Sequence, residues 1–536
     1  MFTTSSGVKL QQTLKRQEKA HVQDAESHFI KNTLSLCPEC LEKLDAVLKE
    51  KDGKVIIEKD CPKHGHFEDV YWSDYEMFKR FDKYGQVGKG VLNPGTKTEK
   101  GCPYDCGLCP NHKSHTVLAI IDVTNACNLQ CSICFAYAGK IGYLYKPDLE
   151  TIEGIIDNLR SNLPVPPPAL QLSGGEPTIR PDLIEIVKIA KKKGFRHVEV
   201  NTNGVRLADE KDGIDYIRKL QKAGVDTLYL SFDGVTPEPY IGRAPSHLDA
   251  EGKMKYAKWL LEVKLKVIEN CREAGHRSVV LVPVIVRGMN DHQLGDIIHF
   301  AVNNIDVVRC VNFQPVSFAG RTEEWEVKQG RITIPEALHN IEEQTGEVIK
   351  TSDFYPIPCT YSISDFLNAY KSKYHVEFTC HPHCGAATYL YVENGGIIPI
   401  TELGHVDEFF NDLSLATEDL RRGQRLKAML RIGASALRNI KPKILREVLP
   451  ALTKGSYESL KPFHYKTLMV GFMHFMDAYN FDLERVERCV IHYGFPGGKI
   501  VPFCTMNTLH RQSLEKKYAV PLPKQKKRKR KDVATA

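Results

Sequence analysis

The cysteine loop at residues 127–134 constrains this chain more than any other stretch. Cys127, Cys131 and Cys134 directly follow the apolar run 117–123. The pattern predicts a buried strand that leads into a loop of three thiolates. Three thiolates can hold three irons of a 4Fe-4S cluster and leave the fourth iron open to a small ligand. The sequence therefore predicts a cluster with an open iron; a structural zinc site or plain buried cysteines are the alternatives.

The cysteine content points to metal. The 536 residues include 16 cysteines, with no N-terminal apolar run and no uncharged stretch of about 18 residues. We therefore expect no secreted disulfide framework, but a cytoplasmic protein, with peripheral contact to the cytoplasmic face of the membrane as the alternative. Cys271 and Cys310 stand alone and are predicted to be small buried residues. The cysteines predicted to bind metal outside the central loop are Cys37, Cys40, Cys61, Cys102, Cys106, Cys109, Cys359, Cys380, Cys384, Cys489 and Cys504.

Two of these cysteine groups precede the central loop. Cys37-Pro-Glu-Cys40 and Cys61-Pro-Lys-His64 flank a hairpin pattern, and such a knuckle suits zinc or a rubredoxin-like iron. Its fourth ligand is either His64 or a cysteine of the second group, 102–109. That second group repeats the spacing of the central loop but lacks a preceding strand, so we predict that it serves an auxiliary metal centre.

Short apolar runs alternate with helical patterns between residues 117 and 315. Six such alternations predict a parallel sheet that is covered by helices. The predicted strands are 117–123, 169–173, 197–201, 226–231, 279–286 and 308–314. The predicted helices are 149–161, 181–193, 212–223, 253–274 and 292–303.

Glycine-rich and polar motifs follow the predicted strands, where such folds place their functional groups. Adjacent glycines let a backbone approach a ligand closely, and polar side chains at strand ends can reach a ribose or a carboxylate. Ordinary turn chemistry is the alternative, because Asn-Gly and Asp-Gly steps are common in turns. The candidate cofactor-binding residues are Gly174, Gly175, Glu176, Pro177, Asn203, Ser231, Asp233, Arg287 and Asn290.

The pattern changes after residue 330. Cys380-His-Pro-His-Cys384 brings two thiols close enough to share a metal. The stretch 408–452 is helical and basic, which predicts either a helix on an anionic membrane or a surface helix with its apolar face on the core. The tail 524–531 carries seven basic residues, equal to the net charge of +7, and suits an anionic membrane, nucleic acid or solubility alone.

Together these motifs resemble the archaeal tetraether lipid synthases of the radical S-adenosylmethionine (SAM) superfamily. The resemblance rests on the order of the cysteine groups and on Gly174-Gly175-Glu176-Pro177, and it covers about residues 30–515. It implies an α/β fold: a partial (β/α)6 radical SAM barrel with an N-terminal cysteine-rich metal-binding domain and a C-terminal α+β cluster-binding and helical region. The implied segments are 1–115 (cysteine-rich), 116–325 (barrel), 326–520 (auxiliary clusters and lipid binding) and 521–536 (basic disordered tail).

The resemblance also implies cofactors and a reaction. Cys127, Cys131 and Cys134 hold a 4Fe-4S cluster that binds SAM. The other cysteines hold one or more auxiliary 4Fe-4S clusters and a rubredoxin-like mononuclear iron, with zinc as the alternative. Reductive cleavage of SAM yields a 5′-deoxyadenosyl radical, so the cofactor carries the difficult step. The implied reaction joins the terminal methyl carbons of two phytanyl chains of archaeal diether phospholipids into biphytanyl chains.

Expected partners follow from the same resemblance. Reduced ferredoxin or a similar donor supplies electrons, the contact with the membrane is peripheral, and the protein is a monomer that does not bind nucleic acid. Two alternatives remain open. Another radical SAM reaction, methylation or peptide modification, would use the same SAM-binding residues. A zinc-rich nucleic-acid-binding protein would explain the knuckles and the basic tail without SAM.

Overall fold

A computed structural model of the chain describes residues 27–139, 141–322, 327–393, 395–447 and 465–521. Residues 1–26 of the predicted cysteine-rich segment and the basic stretch 524–531 lie outside these residues. Within the described part of the chain, no helix combines the length and the apolar composition needed to cross a membrane.

The N-terminal cysteines lie on a small antiparallel sheet whose strands pair in chain order. A tight Asp52-Gly53 turn joins its second and third strands. Both turn residues have positive φ, 54° for Asp52 and 73° for Gly53, as two-residue hairpins require. The hairpin predicted between Cys40 and Cys61 is therefore present. The strands are β1 (His28–Leu36), β2 (Lys43–Lys51), β3 (Lys54–Cys61) and β4 (Gly65–Trp72).

A larger sheet forms the centre of the molecule. Its barrel strands are β5 (Leu118–Thr124), β6 (Ala169–Gly174), β7 (His197–Thr202), β8 (Thr227–Ser231), β9 (Val279–Val282) and β10 (Val308–Pro315). All six are parallel and neighbour one another in chain order. The six predicted strands and the predicted parallel sheet are thus confirmed. Parallel pairing places the polar motifs that follow these strands at one end of the barrel.

Helices cover the outside of the barrel strands. The helix Leu149–Arg160 shows why they form, because Ile152, Ile155, Ile156 and Leu159 are all buried on one stripe against the sheet. Asp148 caps its N-terminus by accepting a hydrogen bond from the Thr151 amide. The other barrel helices are Leu183–Lys192, Gly213–Ala223, Ala250–Ala274 and Leu294–Asn303.

The C-terminal part of the chain extends the same sheet at both edges. β12 (Thr467–Met473) lies parallel to β10, and β13 (Ile491–Phe495) lies parallel to β5 on the opposite edge. The antiparallel strands β11 (Gly385–Glu393) and β14 (Lys499–Pro502) pair with β12 and β13. The segment 326–520 therefore shares a sheet with the barrel, since the backbone groups at both barrel edges need partners.

The remaining C-terminal elements surround this sheet. The described part of the basic stretch 408–452 includes two helices, Val406–Arg421 and Arg425–Asn439, which are separated by Gly423 with a φ of 76°. Residues 448–452 lie outside the described ranges. Further helices are Tyr75–Asp82, Val327–Gly330, Ile334–Gln344, Tyr361–Lys371, Ile400–Leu403, Leu483–Glu487, Phe503–Thr505 and Arg511–Tyr518. Short strands are Tyr143–Leu144, Val284–Ile285, Tyr355–Pro356, Gly396–Pro399 and Val520–Pro521.

A buried arginine joins the small sheet to the C-terminal part. Arg331 is only 3% exposed and forms ion pairs with Asp69 at 2.8 Å and Asp477 at 2.9 Å. We expect Arg331→Leu to lower the free energy of unfolding by about 3–5 kcal/mol, because it leaves two buried carboxylates without their counter-charge. Denaturant unfolding followed by circular dichroism measures this change.

The matched control is the exposed ion pair between Arg287 and Glu336. Its closest N–O distance is 2.6 Å, and the Arg287 side chain is 45% exposed. Arg287→Leu is expected to cost about 1 kcal/mol or less, because water screens exposed pairs. Equal losses in the two variants would contradict the role assigned to Arg331.

Candidate active site and metal centres

The three central cysteines lie on the loop that leaves β5 at the polar end of the barrel. Burial raises the pKa of the Cys127 thiol to about 12, with the neighbouring Cys131 and Cys134 thiols as further causes. Arg321 fixes this loop, because its guanidinium Nε donates to the carbonyl of Cys131 at 2.6 Å. The backbones of Arg321 and Cys134 also exchange two hydrogen bonds, of 2.9 and 3.0 Å. Three half-buried thiols held on one loop in this way are a donor set that favours a metal cluster.

The glycines that follow β6 pack directly on the cysteine loop. The amide of Gly175 donates to the Thr124 carbonyl at 2.6 Å, and that of Glu176 donates to the Ala126 carbonyl at 2.9 Å. A Cβ at Gly175 would lie 2.1 Å from the Ala126 oxygen. Gly174 has a φ of +130°, and a Cβ there would lie 2.0 Å from the Thr124 oxygen. Only glycine allows the two loops to approach so closely, and this shape fits a cluster loop backed by a cofactor-binding turn.

Gly175→Ala is expected to abolish SAM cleavage and to lower the iron content, because the new Cβ would push the cysteine loop away. Gly154 provides a matched control, since a Cβ there meets no atom within 4 Å. Gly154→Ala lies within a helix and is expected to be neutral or to stabilise by about 0.5–1 kcal/mol. Iron analysis and deoxyadenosine formation by the two variants check the prediction, which normal iron binding by Gly175→Ala would contradict.

Glu176 holds the loops at the ends of neighbouring strands. Its buried carboxylate accepts hydrogen bonds from the Thr178 and Thr202 hydroxyls at 2.6 and 2.8 Å and from the Asn203 amide at 2.7 Å. Burial raises the pKa of this carboxyl, and these hydrogen bonds work against that rise. Its hydrogen bonds thus run to the protein, so Glu176 positions the Gly174–Pro177 turn.

Asn203 and Ser231 meet at a buried lysine that sequence reasoning missed. Lys264 is 1% exposed and donates to the Asn203 carbonyl at 2.5 Å and to the Ser231 hydroxyl at 3.3 Å. Burial lowers the pKa of Lys264 to about 8. The Asn203 amide also donates to the side chain of Asn128 in the cysteine loop, at 2.7 Å. A signal was present in the sequence, because Lys264 interrupts the apolar stripe of its helix.

Asp233 and Asn290 fix a second missed residue, Arg243. The Arg243 guanidinium pairs with the buried Asp233 carboxylate at 2.7 Å and lies beside the Cys131 thiol. The amide of Asn290 donates to the carbonyls of Asp233 and Val284, each at 2.8 Å. Arg243 and Lys264 therefore place two cations around the cysteine loop.

Arg287 does not join the other predicted cofactor-binding residues. Its side chain points to Glu336 in the exposed ion pair described above. The physical reason is the turn that follows Val284–Ile285, where Gly288 has a φ of 75° and the chain has already left the sheet. Of the nine predicted cofactor-binding residues, only Gly174 and Ser231 line the barrel cavity itself.

The barrel encloses a cavity between the cysteine loop and the C-terminal strands. One wall is aromatic. The rings of Phe475 and Phe503 stack with centroids 3.7 Å apart, and the ring of Phe135 meets that of Phe503 edge-on with centroids 5.4 Å apart. The opposite wall is polar. The Tyr229 hydroxyl accepts hydrogen bonds from the amides of Asn312 and Gln314. The polar side chains lining the cavity are Gln171, Ser173, Asn201, Tyr229, Ser231, Arg243, Gln314 and Ser317.

Four other cysteines lie in the C-terminal part of the chain, and one of them, Cys504, packs against the aromatic wall. Burial raises the pKa of Cys489 to about 12, with the Cys504 and Cys384 thiols as further causes. Burial also raises the pKa of Cys380, with Cys384 and Cys489 as further causes. Arg485 donates to the Cys384 sulfur at 3.4 Å. These four cysteines affect one another's charge, and we call Cys380, Cys384, Cys489 and Cys504 the four-thiol group. Four thiols are the number of ligands that a 4Fe-4S cluster takes.

The 102–109 loop forms a neighbouring three-thiol group. The pKa of Cys102 is raised by its hydrogen bond with the Cys106 thiol and by burial. Cys106 donates to the hydroxyl of Thr505, the residue after Cys504, at 3.2 Å. The third member, Cys109, is buried.

Cys359 lies apart from these groups. Burial and the negative charge of Asp407 raise the pKa of its thiol to about 12, and no other cysteine contributes to this shift. Its thiol lines an apolar groove with Tyr355 and Ile357. Cys271 and Cys310 are buried and alone, as predicted.

The N-terminal knuckle brings its three cysteines and His64 together. The ligand atoms of Cys37, Cys40, Cys61 and His64 all lie within 4.8 Å of one another. The His64 Nδ1 atom is 3.5 Å from both the Cys37 and the Cys61 sulfurs. Of the two alternatives for the fourth ligand, the geometry favours His64.

Comparison with known proteins agrees with this geometry. Residues 121–301 match the model of the radical SAM superfamily, and residues 29–73 match the HMPTM N-terminal zinc ribbon domain. Fold and site thus define an enzyme of the radical SAM superfamily, as predicted. Solved structures overlap only in part: the maturase HydG from Carboxydothermus hydrogenoformans has a TM-score of 0.32 and 17% identity over 44% of this chain and 52% of its own.

One relative matches nearly the whole chain. The 7,8-dihydro-6-hydroxymethylpterin dimethyltransferase of Methanocaldococcus jannaschii is 46% identical over 510 residues, 93% of this chain and 97% of its own. The chain belongs to the family of this dimethyltransferase. A probable GTP 3′,8-cyclase of Methanothermobacter marburgensis is 32% identical over 190 residues, 35% of this chain and 55% of its own. The match to the radical SAM model confirms the predicted superfamily. The resemblance to tetraether lipid synthases is not confirmed, because neither relative is a lipid synthase by name.

Proposed function

We propose that this chain is a radical SAM methyltransferase that acts on a reduced pterin. The observation that carries the proposal is the 46% identity over 93% of the chain to a protein named as a pterin dimethyltransferase. The polar wall of the cavity supports it. Side-chain amides at Asn201 and Gln314 offer both donors and acceptors, which the edges of a flat nitrogen heterocycle need, and the aromatic wall suits its faces.

Cys127, Cys131 and Cys134 would hold a 4Fe-4S cluster together with SAM. The bound group supplies a radical that abstracts hydrogen from an unactivated carbon, after one-electron reduction by ferredoxin or a similar donor. The protein's own residues position the bound cofactor and enclose the reaction site. Gly174 and Gly175 let the cofactor turn touch the cysteine loop, Arg243 and Lys264 supply positive charge beside it, and the cavity walls exclude water.

The other cysteines would hold separate metal centres. We assign one auxiliary 4Fe-4S cluster to the four-thiol group and a second to the three-thiol group, and none to Cys359. For the knuckle we propose zinc, because a Cys3His ligand set suits zinc, and the rubredoxin-like iron of the sequence prediction is the other outcome. The zinc and iron contents of the intact wild-type protein and of Cys40→Ala test this assignment. Loss of zinc in the variant would support a zinc knuckle, and loss of iron would support the rubredoxin-like site.

An apolar groove in the C-terminal part favours a second candidate function, the coupling of phytanyl chains of archaeal diether lipids. The side chains of Ile357, Ile363, Phe409, Phe410 and Ile440 line this groove, which has little polar surface. Isoprenoid chains would match it through apolar burial alone.

Parallel anaerobic reactions separate the two candidates. The protein is incubated with SAM and a reductant, and with 7,8-dihydro-6-hydroxymethylpterin, an archaeal diether phospholipid, or neither. We expect deoxyadenosine from one SAM and, with a second SAM as the methyl donor, a pterin in which one or two hydrogens are replaced by methyl groups. SAM with a labelled methyl group should place the label in this product. A lipid product with joined chains and two fewer hydrogens would instead establish coupling. Deoxyadenosine without either product would refute both candidates.

A further inference from the structure

The helix Arg425–Asn439 turns its large apolar side chains outward. Leu426 is 75% exposed, Leu430 65% and Leu437 74%. The residues buried on its inner side are small or polar, namely Ala428, Ser435 and Asn439. This is the reverse of a surface helix that packs its apolar face on the core, so that sequence alternative does not apply to this helix.

The exposed leucines form one continuous stripe. Leu426, Leu430 and Leu437 are spaced by four and seven residues, which places them on the same helix face, and the 42% exposed Met429 lies beside them. We call these four residues the leucine stripe. An exposed apolar stripe of this kind marks a binding surface more often than scattered single side chains do.

The charge around the leucine stripe is mainly positive. Residues 421–446 contain nine basic residues and no acidic residue. Six of the nine form ion pairs with five acidic residues outside this stretch, so the basic residues remain in excess. The pairs are Arg421–Asp365, Arg422–Glu418, Lys427–Asp419, Arg431–Asp419, Arg438–Asp412 and Lys443–Glu393. Lys441, by contrast, is exposed and has no ion pair with any residue in the described ranges. The surface thus carries a net positive charge.

We propose that the leucine stripe docks this protein on an anionic phospholipid bilayer. The leucines would enter the boundary between head groups and acyl chains, and the surrounding lysines and arginines would lie on the anionic head groups. Charge decides between the possible occupants, since a second copy would bring one basic surface against another. The apolar groove described above also begins at this helix, through Ile440. Docking is independent of which substrate the barrel accepts.

Vesicle flotation tests the proposal on the full-length protein. We expect binding to phosphatidylglycerol vesicles at low salt, weaker binding to phosphatidylcholine vesicles, and loss of binding as salt screens the charges. The triple variant Leu426→Ser/Leu430→Ser/Leu437→Ser is expected to bind at least about tenfold more weakly. Leu92→Ser is the matched control, because Leu92 is 60% exposed but distant in sequence from this helix. Lys441→Glu reverses one positive charge with the leucines intact, and we expect it to weaken binding to phosphatidylglycerol vesicles.

Circular dichroism and SAM cleavage establish that the variants are folded. Absence of wild-type binding to phosphatidylglycerol, or equal binding by the folded triple variant, would overturn the proposal. Equal binding to both lipids would overturn its electrostatic part. A concentration-dependent dimer that the triple variant loses, without vesicle binding, would show that the stripe contacts a second copy.

Discussion

Replacement of Cys131 by alanine is expected to abolish the reductive cleavage of SAM. The residue sits between the two other thiols of the central loop, with its carbonyl fixed by Arg321 and its sulfur beside Arg243. Loss of a thiolate from a three-thiolate site removes the ligand set, so we expect deoxyadenosine formation to fall more than about 100-fold. Anaerobic incubation with SAM and dithionite, followed by chromatography, measures it.

Two other cysteines serve as controls for this experiment. Cys271 is fully buried and isolated, so Cys271→Ala should cleave SAM normally apart from a small loss of stability. Cys40→Ala should lose the knuckle metal yet keep at least part of its SAM cleavage. If Cys131→Ala retained substantial cleavage, the central loop would not be the SAM site, and the three-thiol group with the same spacing would take its place.

Replacement of Cys489 by alanine is expected to separate SAM cleavage from product formation. Cys489 interacts with both Cys384 and Cys504 in the four-thiol group. Cys489→Ala should therefore lose about four irons per chain while deoxyadenosine still forms. The substrate-derived product should disappear, because Phe503 in the cavity wall is the direct neighbour of Cys504. Iron and sulfide analysis and mass spectrometry measure both effects.

Cys359→Ala is the matched control for the auxiliary site. Its thiol lies in the apolar groove and interacts with no other cysteine, so iron content and product yield should stay near wild type. Equal iron loss in Cys359→Ala and Cys489→Ala would contradict the assignment of the four-thiol group.

The barrel strands were predictable because their residues are locally unambiguous. Leu118–Thr124 and Val279–Val282 are nearly continuous apolar runs, as expected of strands buried on both faces. The placement of Cys127, Gly175 and Asp233 at one end of the barrel followed from parallel pairing alone.

Long-range placement was not predictable from local pattern. The pairing of Ile491 with Leu118, and of Met469 with Cys310, depends on which strands need partners at the barrel edges. The ion pair of Arg287 with Glu336 was not predictable either, because it depends on the turn at Gly288. Lys264 and Arg243 reach the site from elements outside the motifs, so their roles depend on tertiary contacts.

The pairing of β5 with β13 also means that one barrel edge waits for its partner while the chain is being synthesised. Strand β5 is translated roughly 370 residues before β13, its outer neighbour, which takes roughly 20–75 s at about 5–20 residues per second. During that interval its apolar edge has no final partner, and such edges invite aggregation. A temporary cover, by a chaperone or by cluster assembly on the adjoining cysteine loop, would protect the nascent barrel until the ribosome finishes.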